Sequence, residues 1–197
     1  MDTTSTTRSL GGGTLHFLSR GTGPDTVLLL HGISFNARVW EKTGILSAIG
    51  DAGYRVLAAD LPGYGESSPL QRPDAELLLP VVETMGIGEA VIIAPSFSGR
   101  FALPFILSHP SRARGFVSVA SRGIDTYRGR LQEIQCPVLA VWGEHDDVIP
   151  LDLADVLVDN VPQGRKVIVP GGTHAPYLSD PAGFTRELLG FLPDCFR

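Results

Sequence analysis

Three residues of the types that together catalyse acyl transfer occur in one order along the chain. They are Ser96 in PSFSG, Asp146 in GEHDDVIP and His174 in GGTHAPY. In such a set the histidine removes the hydroxyl proton, the serine attacks a carbonyl carbon, and the carboxylate orients and stabilises the imidazolium. Each residue follows an apolar run of strand length. If these runs are parallel strands, the three side chains meet at the carboxyl edge of one sheet.

The segment around Ser96 suggests a sharp turn from a strand into a helix. The apolar run at 90–94 ends at Pro95, and a serine on such a turn needs small residues two positions before and after it. Ala94 and Ser98 occupy these positions, so they are small without being glycine. A second interpretation is that Ser96 only caps a helix over 97–108. The local sequence permits both.

Other residues near Ser96 and Asp146 are candidates for the same roles. Ser98 is the weaker nucleophile candidate because the bulky Arg100 stands two positions after it. The acid candidates are Glu144, Asp146 and Asp147. We favour Asp146, which lies three residues after the turn glycine Gly143, and interpret Asp147 as a turn or helix-entry residue.

His174 is the preferred general base because its glycine-rich loop follows the last predicted strand and precedes the last predicted helix. An isolated histidine in a loop is more often exposed and without a catalytic role. The choice of His174 therefore depends on the position of its loop after the last predicted strand. The other histidines considered are less suitable. His16 falls in a predicted edge strand, His109 precedes a proline at a helix end, and His145 lies inside the acid loop.

Two backbone amides are predicted to bind the negative oxygen that develops on the carbonyl. One is the N–H of Phe97, directly after the nucleophile, and the other is the N–H of Ile33 in HGIS after the run at 26–30. The remaining substrate-pocket candidates are Phe35, Val148 and Tyr177. All five lie on loops that follow predicted strands. Together they describe an open, shallow site.

The elements that would position these residues alternate between strands and helices. Such alternation, with mostly continuous apolar strands, predicts an α/β fold with a doubly wound, mostly parallel sheet and helices on both faces. The predicted strands are 26–30, 55–59, 90–94, 115–120, 137–142 and 166–170, and the predicted helices are 38–50, 74–86, 97–108, 151–160 and 181–192.

The N-terminal part is predicted to differ from the rest of the chain. TLHFLSR at 14–20 alternates like an exposed antiparallel edge strand, paired with a partner from 7–11. We predict that residues 1–12 are a disordered leader and that 13–197 form a single domain. Only 16 residues separate Ala120 from Pro137, too few for a helical cap domain over the site.

Composition excludes several classes of function. The 197 residues carry a formal net charge of -5 with no basic run, so no nucleic-acid or anionic-membrane partner is expected. No apolar run approaches the roughly 18 residues that span a bilayer, and a cytoplasmic location is predicted. The two cysteines do not form a metal-binding pattern, and no phosphate-binding or dinucleotide fingerprint occurs. We expect neither a metal nor a cofactor.

Five motifs in order resemble the α/β-hydrolase superfamily across nearly the whole chain: LLLHGISFNARVW, DLPGYGESS, APSFSGRFALPF, VWGEHD and GGTHAPYLSDP. The order Ser, Asp, His is that of this family. The elbow and the final motif look more narrowly like the small, lidless abhydrolase domain-containing 14 proteins, in which substituted elbow glycines are usual. The resemblance implies the triad Ser96, Asp146 and His174.

These observations predict a serine hydrolase that acts on short acyl esters or related acyl groups of a small-molecule substrate. An acyltransferase that uses the same acyl-enzyme is an alternative. A third possibility is a hydrolase-fold binding protein with a vestigial triad, and a protein partner is compatible with this fold.

Overall fold

The centre of the protein is a mostly parallel sheet of eight strands, seen in a computed structural model that describes residues 2–197. The strands are β1 (Thr4–Leu10), β2 (Gly13–Arg20), β3 (Thr26–Leu29), β4 (Arg55–Ala59), β5 (Ala90–Pro95), β6 (Ala113–Val119), β7 (Val138–Gly143) and β8 (Gly164–Val169). Their order across the sheet is β1-β2-β4-β3-β5-β6-β7-β8. The pairs β1–β2 and β2–β4 are antiparallel, and all other neighbours are parallel. The predicted sheet type is confirmed.

Helices cover both faces of this sheet. They are α1 (Arg38–Lys42), α2 (Ile45–Asp51), α3 (Asp74–Thr84), α4 (Gly99–Ser108), α5 (Asp152–Asp159), α6 (Pro176–Ser179) and α7 (Pro181–Cys195). Side chains of α3, α4 and α5 pack in one apolar core, and those of α1, α2 and α7 pack in the other. The predicted helix 38–50 is divided in two because Gly44 adopts a left-handed φ of 76°.

The inner strands are buried on both faces, which explains their continuous apolar sequence. In β5, Val91 and Ile93 belong to one core, while Ile92 and Ala94 belong to the other. Burial on both sides removes the polar alternation that a half-exposed strand would show. β5 is thereby held in the middle of the sheet with its carboxyl end at the edge where the site forms.

The N-terminal hairpin corrects two predictions. Residues 4–10, expected in a disordered leader, form β1 and pair with β2 along its whole length. Gly11 and Gly12, with φ of 57° and 87°, form the two-residue turn that suits the twist of a hairpin. β1 therefore takes the edge that was predicted for 14–20, and His16 of β2 is buried.

The connection from β6 to β7 is short, as the sequence predicted. It contains a 3₁₀ helix over Arg128–Glu133 and no cap domain. No additional domain therefore covers the carboxyl edge of the sheet. Within residues 2–197, no helix has both the length and the apolar character that crossing a membrane requires.

Candidate active site

Ser96 lies on a strained turn between β5 and α4. Pro95 is still extended, with φ -80° and ψ 136°, and Ser96 then adopts a φ of 48° at the start of a 3₁₀ turn over Ser96–Ser98. A left-handed conformation costs a residue with a Cβ about 1–2 kcal/mol. Such strain persists where the surrounding structure enforces it, and functional sites are where it concentrates.

The need for a small residue falls on Gly99 rather than on Ser98. Ser98 is fully buried, and its hydroxyl donates to the carbonyl of Pro95 at 2.9 Å. A Cβ at Gly99 would lie 2.4 Å from the carbonyl oxygen of Arg122, closer than real contacts allow. Serine is therefore tolerated two positions after Ser96 because the close approach comes one residue later.

The loop after β6 holds the turn from its other side. The Ser121 hydroxyl donates to the carbonyl of Ala94 at 2.5 Å, and the N–H of Arg122 donates to the carbonyl of Ser96 at 2.8 Å. Ala120, just before them, has a φ of 45°. Ser121 was not predicted, and its only signal in the sequence is its place directly after the predicted strand 115–120.

His174 bridges Ser96 and Asp146. Its Nε2 lies 2.9 Å from Ser96 Oγ, and its Nδ1 lies 2.9 Å and 3.0 Å from the two Asp146 carboxylate oxygens. An ionised carboxylate only accepts hydrogen bonds, so Nδ1 carries the proton. Nε2 is then free to accept from the serine hydroxyl. This is the tautomer that a general base requires.

The environment of Asp146 fixes its orientation. Its side chain is fully buried, and its Oδ1 also accepts the N–H groups of Val148 and Ile149, both at 2.9 Å. Asp147 is exposed, with no hydrogen bond to His174. Of the predicted acid candidates, the structure places Asp146 against the imidazole.

The loops that carry Asp146 and His174 are tied together by backbone contacts. The N–H of His145 donates to the carbonyl of Gly172 at 2.8 Å, and the N–H of Gly171 donates to Glu144 Oε2 at 2.8 Å. A Cβ at Gly143 would lie 2.1 Å from the carbonyl oxygen of Thr173. Glycine at the end of β7 therefore lets the histidine loop lie directly against the acid loop.

The peptide between Gly32 and Ile33 is oriented by its neighbours. The Gly32 carbonyl accepts His31 Nδ1–H at 2.9 Å and the N–H of Phe35 at 3.0 Å. In a trans peptide the N–H points away from the carbonyl, so the Ile33 N–H points away from the His31 imidazole. Phe97 follows Ser96 in the first turn of its 3₁₀ helix, where N–H groups lack intrahelical acceptors.

His31 is held neutral by these contacts and by burial. Its Nε2 accepts the N–H of Leu61 at 3.0 Å, so only Nδ1 carries a proton. Burial lowers the pKa of His31, against smaller opposing effects of the Gly32 carbonyl and the Asp60 charge. This positioning role of His31 was not predicted from the sequence, where His31 stood out only as part of the His31-Gly32 pair.

Asp60 joins the loops that follow β3 and β4. Its carboxylate accepts the N–H of Ala37 at 2.7 Å, the N–H of Glu66 at 2.8 Å and Nδ1 of His16 at 2.8 Å. The buried acid satisfies backbone groups that would otherwise lie unpaired in the interior. It therefore helps to fix the loop that carries Ile33.

A small cavity of about 70 Å³ opens beside Ser96 and His174. Of the pocket residues proposed from the sequence, Ile33, Phe35 and Tyr177 line this cavity. Tyr177 is buried against Trp40 and Phe184, and burial raises its pKa, so its phenol is neutral.

Two predicted lining residues lie elsewhere. Val148 does not line this cavity, because the acid loop turns its side chain toward a separate cleft of about 600 Å³. Phe97 packs between Tyr64 and Phe101, with ring centroids 5.8 Å and 5.1 Å away. Within residues 2–197, no group of three or more His, Cys, Asp or Glu side chains is arranged to hold a metal ion.

Comparison with known proteins places the chain in a family. The family model described as "alpha/beta hydrolase fold" matches residues 25–129. A solved structure from Thermoplasma acidophilum, described as a "predicted CIB-like hydrolase", superposes with a TM-score of 0.92 at 25% identity and covers 98% of each chain.

Two curated relatives narrow the assignment. Protein ABHD14A of Danio rerio is 37% identical over 174 residues, which cover 84% of this chain and 63% of that protein. The Homo sapiens protein named "Putative protein-lysine deacylase ABHD14B" is 34% identical over 175 residues, covering 85% of this chain and 82% of that protein. The chain therefore belongs to the α/β-hydrolase family and, within it, to the ABHD14 group.

Proposed function

We propose that the protein is a serine hydrolase that removes short acyl groups through an acyl-enzyme on Ser96. One observation carries this proposal: His174 lies within hydrogen-bond distance of both Ser96 Oγ and the Asp146 carboxylate. An assembled relay on a strained turn favours catalysis over a vestigial triad, because a binding protein needs neither feature.

The proposed reaction has two halves. His174 Nε2 takes the Ser96 proton as Oγ attacks the acyl carbonyl, and the N–H groups of Ile33 and Phe97 stabilise the negative oxygen. His174 then protonates the leaving alcohol or amine. Water attacks the acyl-enzyme with His174 again as base, which releases the acid and restores Ser96.

The small cavity supports a short acyl group. A volume of about 70 Å³, walled by Phe35 and the neutral Tyr177, suits an acetyl or similarly small apolar group. Relatives in Homo sapiens and Rattus norvegicus are named "Putative protein-lysine deacylase ABHD14B". By similarity, we include acylated lysine side chains beside esters as substrates, since no cap domain hinders the approach of a large substrate.

Labelling with a fluorophosphonate probe tests the nucleophile. We expect mass spectrometry to find the probe on Ser96, with no labelling in Ser96→Ala and greatly reduced labelling in His174→Ala. Ser98→Ala is the matched control and should label normally, because its hydroxyl is occupied by the Pro95 carbonyl. A folded protein that does not label at Ser96 would overturn the hydrolase proposal in favour of a binding role.

A further inference from the structure

The hydroxyl of Tyr177 lies at the small cavity beside Ser96 and His174. Tyr177 is only 2% exposed, and it is one of the residues that wall this cavity of about 70 Å³. Its phenol oxygen is next to Gly32, another wall residue, and lies 3.8 Å from the position that a Cβ on this glycine would take. The hydroxyl end of the ring therefore borders the cavity, beside the peptide that carries the Ile33 N–H.

The Tyr177 hydroxyl is held in place by the packing of its ring. The ring centroid lies 4.8 Å from that of Trp40, 6.1 Å from that of Phe184 and 6.4 Å from that of Phe35. The Trp40 ring N–H donates to the Leu30 carbonyl at 2.8 Å and is not available to the phenol. Within residues 2–197 the hydroxyl forms no hydrogen bond, and burial alone raises its pKa. It is a neutral, rigidly placed donor without an acceptor.

The phenol oxygen is not sealed in the protein interior. In the described part of the chain, the polar side-chain atoms that are both enclosed and unpaired are His109 Nδ1, Arg114 Nε and Ser118 Oγ. The Tyr177 oxygen also lacks a partner, but it keeps access to the cavity. A buried donor without an acceptor costs free energy, which a bound acceptor recovers. An acceptor atom on the bound acyl group fits this position.

The other polar groups of the cavity have different roles or face solvent. Ser96 and His174 belong to the proposed triad, and Ser34 is exposed. No lysine or arginine in residues 2–197 lines the cavity, and the Asp146 carboxylate lies behind His174. An acyl group with its own negative charge would find no cation here and is disfavoured. The cavity therefore suits a small neutral acyl group with one acceptor atom.

We propose that Tyr177 determines acyl specificity by donating a hydrogen bond to a hydroxyl on the acyl group, so that short 2-hydroxyacyl groups are preferred to alkyl groups of equal size. The inference rests on the proposed function and adds the substituent next to the acyl carbonyl. In the proposed mechanism the carbonyl oxygen accepts from Ile33 and Phe97, which leaves the phenol for a second oxygen. An acetyl group lacks this oxygen, whereas a hydroxyacetyl group supplies it with little added volume.

Two phenyl esters with acyl groups of nearly equal size test this preference. Hydroxyacetyl and propanoyl groups differ only by a hydroxyl in place of a methyl group. The value of kcat/KM is measured for both esters with the wild-type protein and with Tyr177→Phe, whose ring can keep its packing against Trp40. The ratio of the hydroxyacetyl value to the propanoyl value should fall about tenfold in the variant, because one buried hydrogen bond is lost. The intrinsic reactivity of each ester is the same for both proteins and cancels.

Tyr54→Phe is the matched control. Tyr54 is half-buried, and its ring centroid lies 5.8 Å from that of Phe196. It directly precedes β4, which runs parallel to β3, so it lies at the amino edge of the sheet, opposite Ser96. Removal of its hydroxyl should leave the ratio unchanged. An equal fall in the control, or no fall in Tyr177→Phe, would overturn the proposal.

Donation to the oxyanion is the competing role for Tyr177. In that case Tyr177→Phe would lower kcat for acetyl, propanoyl and hydroxyacetyl esters alike, and the unchanged ratio would overturn the specificity proposal. Fluorophosphonate labelling separates either result from a failure of the proposed function. Labelling of Ser96 with an unchanged ratio contradicts only the role of Tyr177. Absence of labelling in the folded wild-type protein contradicts the hydrolase itself.

Discussion

The main chain of Gly99 runs so close to Arg122 that a Cβ on Gly99 would lie 2.4 Å from the Arg122 carbonyl oxygen. The N–H of the same Arg122 donates to the Ser96 carbonyl at 2.8 Å. The start of α4 and the loop after β6 therefore clamp the Ser96 turn between them. This contact explains why glycine stands three positions after the serine.

Gly99→Ala should destabilise the protein and also lower its rate of ester hydrolysis. The added methyl group meets backbone rather than a movable side chain, so we expect a loss of about 1–3 kcal/mol in the free energy of unfolding. Displacement of the Arg122–Ser96 contact should also lower ester turnover. Urea unfolding and turnover of a small acetyl ester measure the two effects.

Gly190→Ala is the control for the Gly99 substitution. Gly190 lies inside α7, where a Cβ meets nothing within 4 Å. Alanine there should raise the free energy of unfolding by about 0.5–1 kcal/mol because glycine is a poor helix residue. Equal effects at the two glycines would contradict the proposed clamp.

Separate substitutions of Asp146 and Asp147 test which of these neighbouring aspartates is the acid of the triad. Asp146→Asn should lower kcat by about 10⁴-fold, because an amide favours the wrong imidazole tautomer while its oxygen still accepts the N–H groups of Val148 and Ile149. Asp147→Asn should change kcat on a small ester by no more than about twofold. The reverse pattern in steady-state kinetics would assign the role to Asp147.

The inner part of the fold was predictable because buried parallel strands leave a distinct sequence. The run at 55–59 matches β4 residue for residue, and most other inner strands shift by one or two residues. β1 could not be recognised in this way. Its serines and threonines are polar on both faces, and it is ordered through its pairing with β2.

The site was predictable to the extent that its residues follow strands. Parallel strands end at one edge, so Ser96, Asp146 and His174 meet there although they are far apart in sequence. The choice between Asp146 and Asp147 depends on a tertiary contact that no spacing expresses. Ser121 and His31 were missed because both act on backbone carbonyls, which exist as specific partners only once the loops are folded.

Stability should fall as the pH drops below about 6.5, in part through His31. Burial lowers the pKa of this residue from its ordinary 6.5 in the folded protein. Between the two pKa values the unfolded chain binds a proton that the folded protein does not, so acid favours unfolding. Above 6.5 both states are neutral and this contribution disappears.

Comparison with His31→Gln isolates that contribution. Midpoints of urea unfolding measured from pH 7.5 to 5 should fall less steeply in the variant, since its side chain does not titrate. The other histidines are common to both proteins and cancel in the difference. Identical pH slopes would mean that His31 accepts a proton as easily in the folded protein as in the unfolded chain.

The strain at Ser96 should be measurable as a difference between two inactive variants. Both Ser96→Ala and Ser96→Gly remove the hydroxyl, and turnover should fall on the order of 10⁶-fold in each. Alanine keeps a Cβ at a φ of 48°, whereas glycine adopts this conformation freely.

Relief of the left-handed strain should raise the free energy of unfolding by about 1–2 kcal/mol. The greater freedom of glycine in the unfolded chain lowers it by about 0.4–1 kcal/mol. Ser96→Gly should therefore unfold at higher urea than Ser96→Ala, by about 0.5–1 kcal/mol. At Ser98, where φ is -70°, glycine relieves nothing and loses the bond to Pro95, so it should destabilise. Greater stability of the glycine variant than of the alanine variant would show that the φ of 48° costs a residue with a Cβ, a cost that the protein bears to hold the Ser96 hydroxyl toward His174.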